Sequence, residues 1–338
     1  MRRPSRSSIN WSSYQESAAE TGLADSLTAR TVALARTDQI GPSPDREEHP
    51  VVRLLREPAS IPAGRPRIVS LVPSLTELIC DLGLADCLVG RTAFCIHPQA
   101  ALARVPRVGG TKTPKIDRIL EQSPTHLIVN VDENDRATVE ALAQSIPQVV
   151  VTHPIEIEDH FELFSWFGER FSCEREATAL SAALSRVLDR QAAKRYDERQ
   201  VVYYIWKDPW MTVASDTFIA RMLARVGLRN VTFGREVAGP RYPEWPLERL
   251  DDPDIDAVLL SSEPCRFGTA DRREVLRRLD ASPTRRPRRV PVLGIDGEMC
   301  SWYGSRIVRS LDQLDAYRER LDRRIHTRTM IRSAHARP

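Results

Sequence analysis

The sequence contains none of the short motifs that mark common nucleotide-binding and hydrolytic sites: GxSxG, Walker A and GxGxxG are all absent. Its six cysteines include no CxxC pair, which argues against a zinc or iron–sulfur site of the usual spacing. The 49 basic and 46 acidic residues nearly balance, so we expect no nucleic-acid partner. No apolar run reaches the length of a signal-peptide core or a transmembrane helix.

Two terminal segments differ in composition from the rest of the chain. Residues 1–66 contain basic, Ser-rich and Pro-rich stretches, which is typical of a disordered leader, and residues 323–338 predict a disordered tail. From Ile68 onward, apolar β-rich runs alternate with helical patterns, as in α/β proteins with parallel sheets. This alternation predicts an N-terminal α/β lobe over 67–154, connecting helices over 155–197 and a C-terminal α/β lobe over 198–322.

The first predicted βα unit is RIVSLVPSLTELICDLGL, which begins at Arg67. Its apolar run predicts a strand over 68–72, followed by a helix over 75–83. Ser74 and Glu77 have the spacing of a capping box at the start of that helix. Because open α/β sheets bind ligands beyond the carboxyl ends of their strands, we expect the functional residues in the loops that follow strands.

A helix–turn–strand pattern occurs twice, as PKIDRILEQSPTHLIVN and as PLERLDDPDIDAVLLSS. The repetition predicts two lobes related by pseudo-symmetry. Each copy has an acid near the helix start, Asp117 in the first and Glu248 in the second. A negative charge there stabilises a helix N-terminus. Alternatively, the two acids form a symmetric pair that fits basic sockets on a partner protein.

Aromatic side chains concentrate in the loops that follow the predicted strands of the second lobe. They are Trp206, Trp210, Tyr242, Trp245, Phe267, Trp302 and Tyr303. A single aromatic ring there is more often part of the core, but rings from several loops predict an apolar cleft for a large planar or multi-ring ligand. The facing edge of the first lobe would contribute Ser74, Phe94 and Thr111. Polar groups such as Glu298 and Ser301 would orient the ligand.

The histidines do not form a recognisable metal-binding pattern. His153 and His160 are seven residues apart, but Pro154 follows His153 and places it outside the predicted helix. A zinc site would need further ligands from both lobes, with His97 as the best additional candidate. We therefore predict no metal site formed by protein side chains.

Five segments in fixed order resemble the cobalamin and iron-siderophore substrate-binding proteins of ABC importers, the helical-backbone metal receptors of the class III periplasmic binding protein fold. The segments are RIVSLVPSLTELICDLG, VGGTKTPKIDRIL, SPTHLIVN, RYPEWPLERL and DGEMCSWYGSR. The resemblance extends from Arg67 to Leu321. It implies two Rossmann-like α/β lobes joined by a long backbone helix, with a ligand cleft between the lobes.

The resemblance also implies ligand-binding roles for individual residues. Phe94 and Tyr242 match aromatic positions that stack on the corrin edge in the cobalamin receptor. Glu298 and Ser301 fall at or next to its polar contacts, beside Trp302.

The resemblance implies a partner-docking role for two acids. Asp117 and Glu248 match the paired acids with which such receptors dock onto arginines of the permease.

At two positions this chain departs from the cobalamin receptor. Thr111 and Val131 stand where that receptor carries tryptophans, so its aromatic cage is reproduced only in part.

The resemblance implies a non-enzymatic, monomeric substrate-binding protein that captures cobalamin, or otherwise haem or a ferric siderophore, for an ABC permease. It implies no enzyme cofactor. Two alternatives stay open: a cytoplasmic enzyme or carrier acting on a corrinoid or metal-chelate cofactor, and a protein-binding regulatory module. The resemblance implies a periplasmic location, whereas the missing signal-peptide core is typical of a cytoplasmic protein, so the compartment stays open too.

Overall fold

A computed structural model describes the backbone of residues 50–55, 64–232, 240–282 and 290–335, and side chains up to Ile325. The elements of the first lobe are β1 (Val52–Leu54), β2 (Ile68–Ser70), α1 (Pro73–Asp81), β3 (Leu88–Arg91), α2 (Gln99–Leu102), α3 (Ile116–Glu121), β4 (His126–Asn130), α4 (Arg136–Leu142) and β5 (Gln148–Thr152). A short 3₁₀ helix, Ala85–Cys87, precedes β3.

The first lobe is built on a five-stranded sheet with the order β1-β5-β4-β2-β3. Strands β2 to β5 are parallel, and β1 pairs antiparallel with β5. All residues of β2, β4 and β5 are buried, because helices cover both faces of a parallel sheet. Their carboxyl ends therefore point toward the same edge of the lobe.

Two packed helices connect the lobes, α5 (Asp159–Phe171) and the longer α6 (Glu174–Ala192). Ser172 ends α5 in the left-handed conformation, with φ of 55°, and turns the chain into α6. The long helix α6 lies against the last helix of the chain, since Gln191 donates a hydrogen bond to the Leu311 carbonyl at 3.1 Å. The connector is thus packed into the fold.

The second lobe contains β6 (Arg199–Tyr204), α7 (Phe218–Arg225), β7 (Leu228–Asn230), β8 (Ala257–Ser261), α8 (Thr269–Asp280), β9 (Val292–Ile295), α9 (Gly297–Ser301) and α10 (Ile307–His335). A 3₁₀ helix, Leu247–Asp251, precedes β8. The four strands are parallel in the order β7-β6-β8-β9. The first lobe has the same arrangement in β3-β2-β4-β5, which confirms the predicted pseudo-symmetry.

The predicted fold class is confirmed: two α/β lobes with parallel sheets are joined by a long helix. Two boundaries differ from the prediction. The predicted disordered leader contains strand β1, whose residue Val52 pairs with Thr152. Helix α10 continues to His335 and so includes most of the predicted disordered tail. The predicted structure of residues 1–49 lies outside the described residues.

The predicted capping box at Ser74 and Glu77 is wrong. Helix α1 begins at Pro73, and its N-cap is Val72 without a side-chain cap. The Glu77 carboxylate instead accepts hydrogen bonds at 2.7 Å from Arg306 Nε and from Arg309 Nη2, both in the second lobe. Glu77 and Arg306 are both buried, so this ion pair ties α1 to the C-terminal lobe in a low-dielectric environment.

The loop before α10 fits closely against α1. Gly304 has a φ of +85°, and a Cβ there would lie 3.3 Å from Leu78 Cβ and from the Ser74 carbonyl oxygen. Glycine is required here by both its backbone conformation and its small size. This contact and the Glu77 ion pair fix the relative position of the lobes.

None of the helices within the described ranges combines the length and the apolar character needed to cross a bilayer. The six cysteines are all free thiols.

Acid conditions are expected to destabilise the fold through His160. This side chain is fully buried between Phe164 and Phe218, at centroid distances of 5.9 and 5.5 Å. Burial lowers the pKa of His160 to about 4, whereas an unfolded histidine titrates near 6.5. Between these values the unfolded state binds the extra proton, so the free energy of unfolding falls by up to about 3 kcal/mol as pH drops.

Urea unfolding at pH 7.0 and at pH 4.5 measures this loss. A His160→Phe variant should show a smaller decrease than the parent protein, because it removes one of the buried imidazoles. His126, whose pKa burial also lowers to about 4, remains in both proteins. An equal decrease in the two proteins would show that His160 does not contribute.

Candidate functional site

The carboxyl-edge loops of the two sheets meet between the lobes. On the first-lobe side, the exposed apolar residues are Phe94, Ile96 and Val131, with exposed fractions of 59%, 48% and 43%. Phe94 follows β3 and Val131 follows β4. The Phe94 ring lies over Gly110, where an added Cβ would be 3.5 Å from Cε2. Exposed apolar groups concentrated at one sheet edge are typical of a binding surface.

The second-lobe side is formed by α9 and the residues after it. Asp296 caps α9 by accepting from the Glu298 amide at 3.0 Å. The Ser301 hydroxyl donates to the Gly297 carbonyl at 2.8 Å, within the helix. Trp302 is buried, and its indole N–H donates to Glu263 at 3.0 Å.

The Trp302 ring lies between two basic side chains. The Arg306 guanidinium is 4.2 Å from the ring centroid, and His97 of the first lobe packs edge-on at 5.5 Å. His97 Nε2 is also 3.2 Å from a Glu298 oxygen, and Arg306 Nη1 donates to Glu298 at 2.5 Å. Trp302, Arg306 and Glu298 of the second lobe and His97 of the first lobe therefore form one contact cluster between the lobes.

The other predicted aromatic residues lie at different depths. Trp210 is buried in the core of the second lobe, stacked on Phe267 at 5.5 Å with an interplanar angle of 10°. Trp206 and Tyr242 are half-buried and pack against the main core. The structure thus brings Tyr242 and Trp206 near the surface and places Trp210 inside the lobe.

Ser74 and Thr111 approach the inter-lobe loops from the first lobe. Ser74 is buried in the first turn of α1 and lies beside the hydroxyl of Tyr303. The Thr111 carbonyl accepts a hydrogen bond from the Asn134 amide at 3.0 Å, which joins the loop after β3 to the loop after β4.

Arg241 of the second lobe bridges to two residues of the first lobe. Its Nη1 is 2.7 Å from Asp132 Oδ1 and 2.6 Å from His153 Nε2. Because a guanidinium can only donate, His153 Nε2 is the acceptor in the contact with Arg241. Arg241 Nη2 also donates to the Asp216 carbonyl at 2.8 Å.

Glu133 and Tyr303 form a second bridge. The Tyr303 hydroxyl donates to Glu133 Oε1 at 2.6 Å; Tyr303 is buried and Glu133 is half-buried. Burial raises the pKa of Glu133 to about 7. Burial likewise lowers the pKa of nearby Lys112 to about 8, while Lys112 Nζ donates to the Asp132 carbonyl at 2.8 Å. The loops after β3 and β4 therefore place a basic and an acidic side chain, Lys112 and Glu133, on the first-lobe side of the contact between the lobes.

Asp117 and Glu248 lie at equivalent places in the two lobes. Asp117 is in the first turn of α3, which leads into β4, and Glu248 is in the 3₁₀ helix that leads into β8. Both side chains are exposed. Ile116 and Leu120, also exposed, lie on the same short helix as Asp117.

The site combines aromatic surface with hydrogen-bonding groups, which suits it to bind and orient a ligand. Across the described part of the chain, no group of three or more His, Cys, Asp or Glu residues is arranged to hold a metal ion. A surface depression of about 560 Å³ lies between β9 and α10, where Tyr317 donates to the Gly294 carbonyl.

Sequence reasoning missed the roles of Glu77 and Glu133. Glu77 is an acid within an apolar stretch, and an acid that falls on the buried side of an element is expected to have a specific partner. Glu133 stands in the polar run DEND, which gives no such signal. The sequence could identify neither partner, because Arg306 is 229 residues from Glu77 and Tyr303 is 170 residues from Glu133.

A family model described as "Periplasmic binding protein" matches residues 68–286. A curated relative, an uncharacterized ABC transporter substrate-binding lipoprotein YvrC from Bacillus subtilis (strain 168), is 26% identical over 174 residues. The match covers 48% of this chain and 54% of the relative. The chain thus spans about half the length of that relative.

Solved structures share the fold. The periplasmic vitamin B12 binding protein BtuF of Vibrio cholerae is 18% identical, with a TM-score of 0.61, over 76% of this chain and 98% of that one. The periplasmic heme-binding protein RhuT from Roseiflexus sp. RS-1 is 18% identical, with a TM-score of 0.63, over 76% and 99%. A periplasmic heme-binding protein from Pseudomonas aeruginosa is 23% identical, with a TM-score of 0.62, over 75% and 92%.

Proposed function

The chain belongs to the periplasmic binding protein family, and we propose that it is the substrate-binding component of an ABC-type importer. The proposed ligand is a large planar metal chelate, with cobalamin as the first candidate and haem or a ferric siderophore as the others. The ligand would lie between the lobes, at the carboxyl ends of the parallel strands.

The exposed apolar patch of Phe94, Ile96 and Val131 carries this proposal. Its residues follow strands of the first sheet, and they adjoin loops whose side chains already reach across to the second lobe. Burying such a patch under a flat ring supplies binding energy, and the polar groups around it set the ring's orientation. The proposed ligand contacts from the second lobe are Tyr242, Trp206, Glu298 and Ser301. The buried side chains of Trp302 and Tyr303 would pack behind these contacts and hold them in position.

Calorimetric titration of the full chain with cyanocobalamin, haem and a ferric siderophore tests the proposal. We expect one-to-one, sub-micromolar binding of one of these chelates, with the ligand recovered chemically unchanged. Absence of binding to all three would contradict it. Conversion of a bound ligand to a product would favour the enzyme alternative instead.

We further propose that the equivalent acids Asp117 and Glu248 dock onto arginines of the permease. Both are exposed, and each precedes the corresponding strand of its lobe. The exposed apolar side chains of Ile116 and Leu120 adjoin Asp117, so this surface offers apolar contact as well as charge. Charge complementarity of this kind favours specific, correctly oriented association.

Charge reversal separates docking from ligand binding. The double variant Asp117→Lys, Glu248→Lys should abolish ligand uptake into membrane vesicles carrying the permease while ligand affinity changes less than twofold. Glu162→Lys, an exposed acid on the connecting helix α5, is the control and should keep both properties. A large loss of ligand affinity in the double variant would show that these acids do not act in docking.

A further inference from the structure

The sheet of the second lobe has an uncovered edge at the place where the sheet of the first lobe has a covered one. Strands β5 and β9 are equivalent, since they end the matching orders β3-β2-β4-β5 and β7-β6-β8-β9. In the first lobe, β1 pairs antiparallel with β5, from Val52 opposite Thr152 to Leu54 opposite Val150. Among the described residues, no strand occupies the corresponding side of β9. The first lobe thus shows that this edge position accepts an extended segment.

The free edge of β9 is formed by the backbone of Val292 and Gly294. The Ile295 carbonyl accepts from the Ser262 amide at 3.0 Å, on the side of β8. Because neighbouring residues of a strand direct their backbone groups to opposite sides, Gly294 and Val292 direct theirs away from β8. Outward amides and carbonyls at a sheet edge are a template for pairing with another strand.

The outward carbonyls of β9 are engaged by side chains rather than by a strand. Arg272 Nε donates to the Val292 carbonyl at 3.0 Å, and the Tyr317 hydroxyl donates to the Gly294 carbonyl at 3.2 Å. No described residue accepts from the Gly294 amide. An incoming antiparallel strand would satisfy both groups of Gly294, since the residue opposite it donates to the carbonyl and accepts from the amide.

There is room for a second backbone beside Gly294. This residue is exposed, and a Cβ added to it would meet no atom within 4 Å. Gly294 also lines the depression of about 560 Å³ between β9 and α10. A glycine inside a strand is typical of a place where another backbone approaches closely. The depression is therefore suited to an extended peptide.

The wall that α10 contributes to the depression is basic. Arg320 and Arg324 line it, and both side chains are exposed. Asp296, the acid among the described lining residues, caps α9 by accepting from the Glu298 amide at 3.0 Å. A segment that lies along β9 would pass the two arginines, so charge complementarity favours acidic side chains on that segment.

We propose that β9 binds an extended acidic segment of a partner protein by strand addition. The segment pairs antiparallel with β9, as β1 does with β5, and its acids lie against Arg320 and Arg324. A second copy of this chain fits less well, because it would bring its own two arginines to the same depression. The inference concerns a protein partner and does not depend on which ligand the cleft takes.

Fluorescence anisotropy of the full chain with labelled eight-residue peptides tests the proposal. The acidic probe EVEVTVEV alternates glutamate with β-branched residues, and KVKVTVKV is its basic counterpart. EPEPTPEP keeps the acidic charge, but its prolines remove alternate amides and favour the polyproline II conformation over a strand. We expect a micromolar Kd for the acidic probe and binding at least tenfold weaker for the other two peptides.

Two variants separate the backbone contact from the charge contact. Gly294→Pro removes the outward amide at a position where an edge strand tolerates proline, because that N–H does not pair within the sheet. It should weaken the acidic probe at least fivefold with an unchanged circular dichroism spectrum. The double variant Arg320→Glu, Arg324→Glu should weaken it at least tenfold. The control Arg118→Glu, Arg186→Glu makes the same change of charge at exposed residues of α3 and α6 and should bind like the parent protein.

Three results would overturn the inference while leaving ligand binding in the cleft untouched. Absence of binding by the acidic probe would show that Arg272 and Tyr317 only shield the edge. Equal binding of EVEVTVEV and EPEPTPEP would show attraction by charge without strand pairing. A dimer in sedimentation velocity that the Gly294→Pro variant loses would assign the edge to a second copy of the chain.

Discussion

Replacing Glu77 by alanine is expected to reduce the free energy of unfolding by about 3 kcal/mol. Glu77 and Arg306 have side chains only 7% and 8% exposed, and they pair at 2.7 Å across the two lobes. Removing one partner of a buried ion pair costs roughly 3–5 kcal/mol, because the other charge stays buried without compensation. Glu298 also contacts Arg306 at 2.5 Å, so the loss should fall at the lower end of that range.

Chemical denaturation of the parent and variant proteins measures the loss. Glu140→Ala is the matched control, since Glu140 pairs with Arg136 at the same 2.7 Å on an exposed helix surface. Exposed pairs contribute about 0–1 kcal/mol, so the control should be nearly neutral. A Glu77→Ala variant as stable as the Glu140→Ala variant would show that the inter-lobe pair does not stabilise the fold.

Replacing Phe94 by alanine is expected to weaken ligand binding at least tenfold without destabilising the fold. The ring is 59% exposed, so its removal leaves no cavity in the core. A stacked aromatic contributes about 0.5–1.5 kcal/mol beyond the area it buries, and about 1.4 kcal/mol corresponds to a tenfold change in affinity.

Leu120→Ala is the control for Phe94→Ala. Leu120 is also an exposed apolar side chain, at 37%, but it lies on α3 before the amino end of β4, opposite the carboxyl edge. Calorimetric titration should show unchanged ligand affinity for this variant. Equal effects of the two substitutions would exclude a specific role for Phe94 at the sheet edge.

Most of the fold could be predicted because its signals are local. The buried strands are short apolar runs, and β2, for example, occupies 68–70, within the predicted 68–72. The repeated helix–turn–strand pattern correctly indicated two lobes with the same strand order. Strand β1 was missed because three residues at a sheet edge carry almost no periodicity, and its strand state depends on pairing with distant β5.

The site was less predictable because its geometry depends on contacts between the lobes. Sequence pattern placed Trp210 and Trp302 together in strand-end loops, yet one stacks inside the second lobe and the other supports a cross-lobe cluster. A loop position alone does not specify the direction of a ring. Similarly, the spacing of Ser74 and Glu77 fits a cap, but the buried pair with Arg306 determines where Glu77 points.

The most direct test of the account is a crystal structure of the full chain with cyanocobalamin, in which the cobalt is located from its anomalous scattering. We expect one cobalt peak between the carboxyl edges of the two sheets, with the corrin ring against Phe94. A peak confined to the depression between β9 and α10, or to the exposed surface around Asp117, would contradict the proposed site.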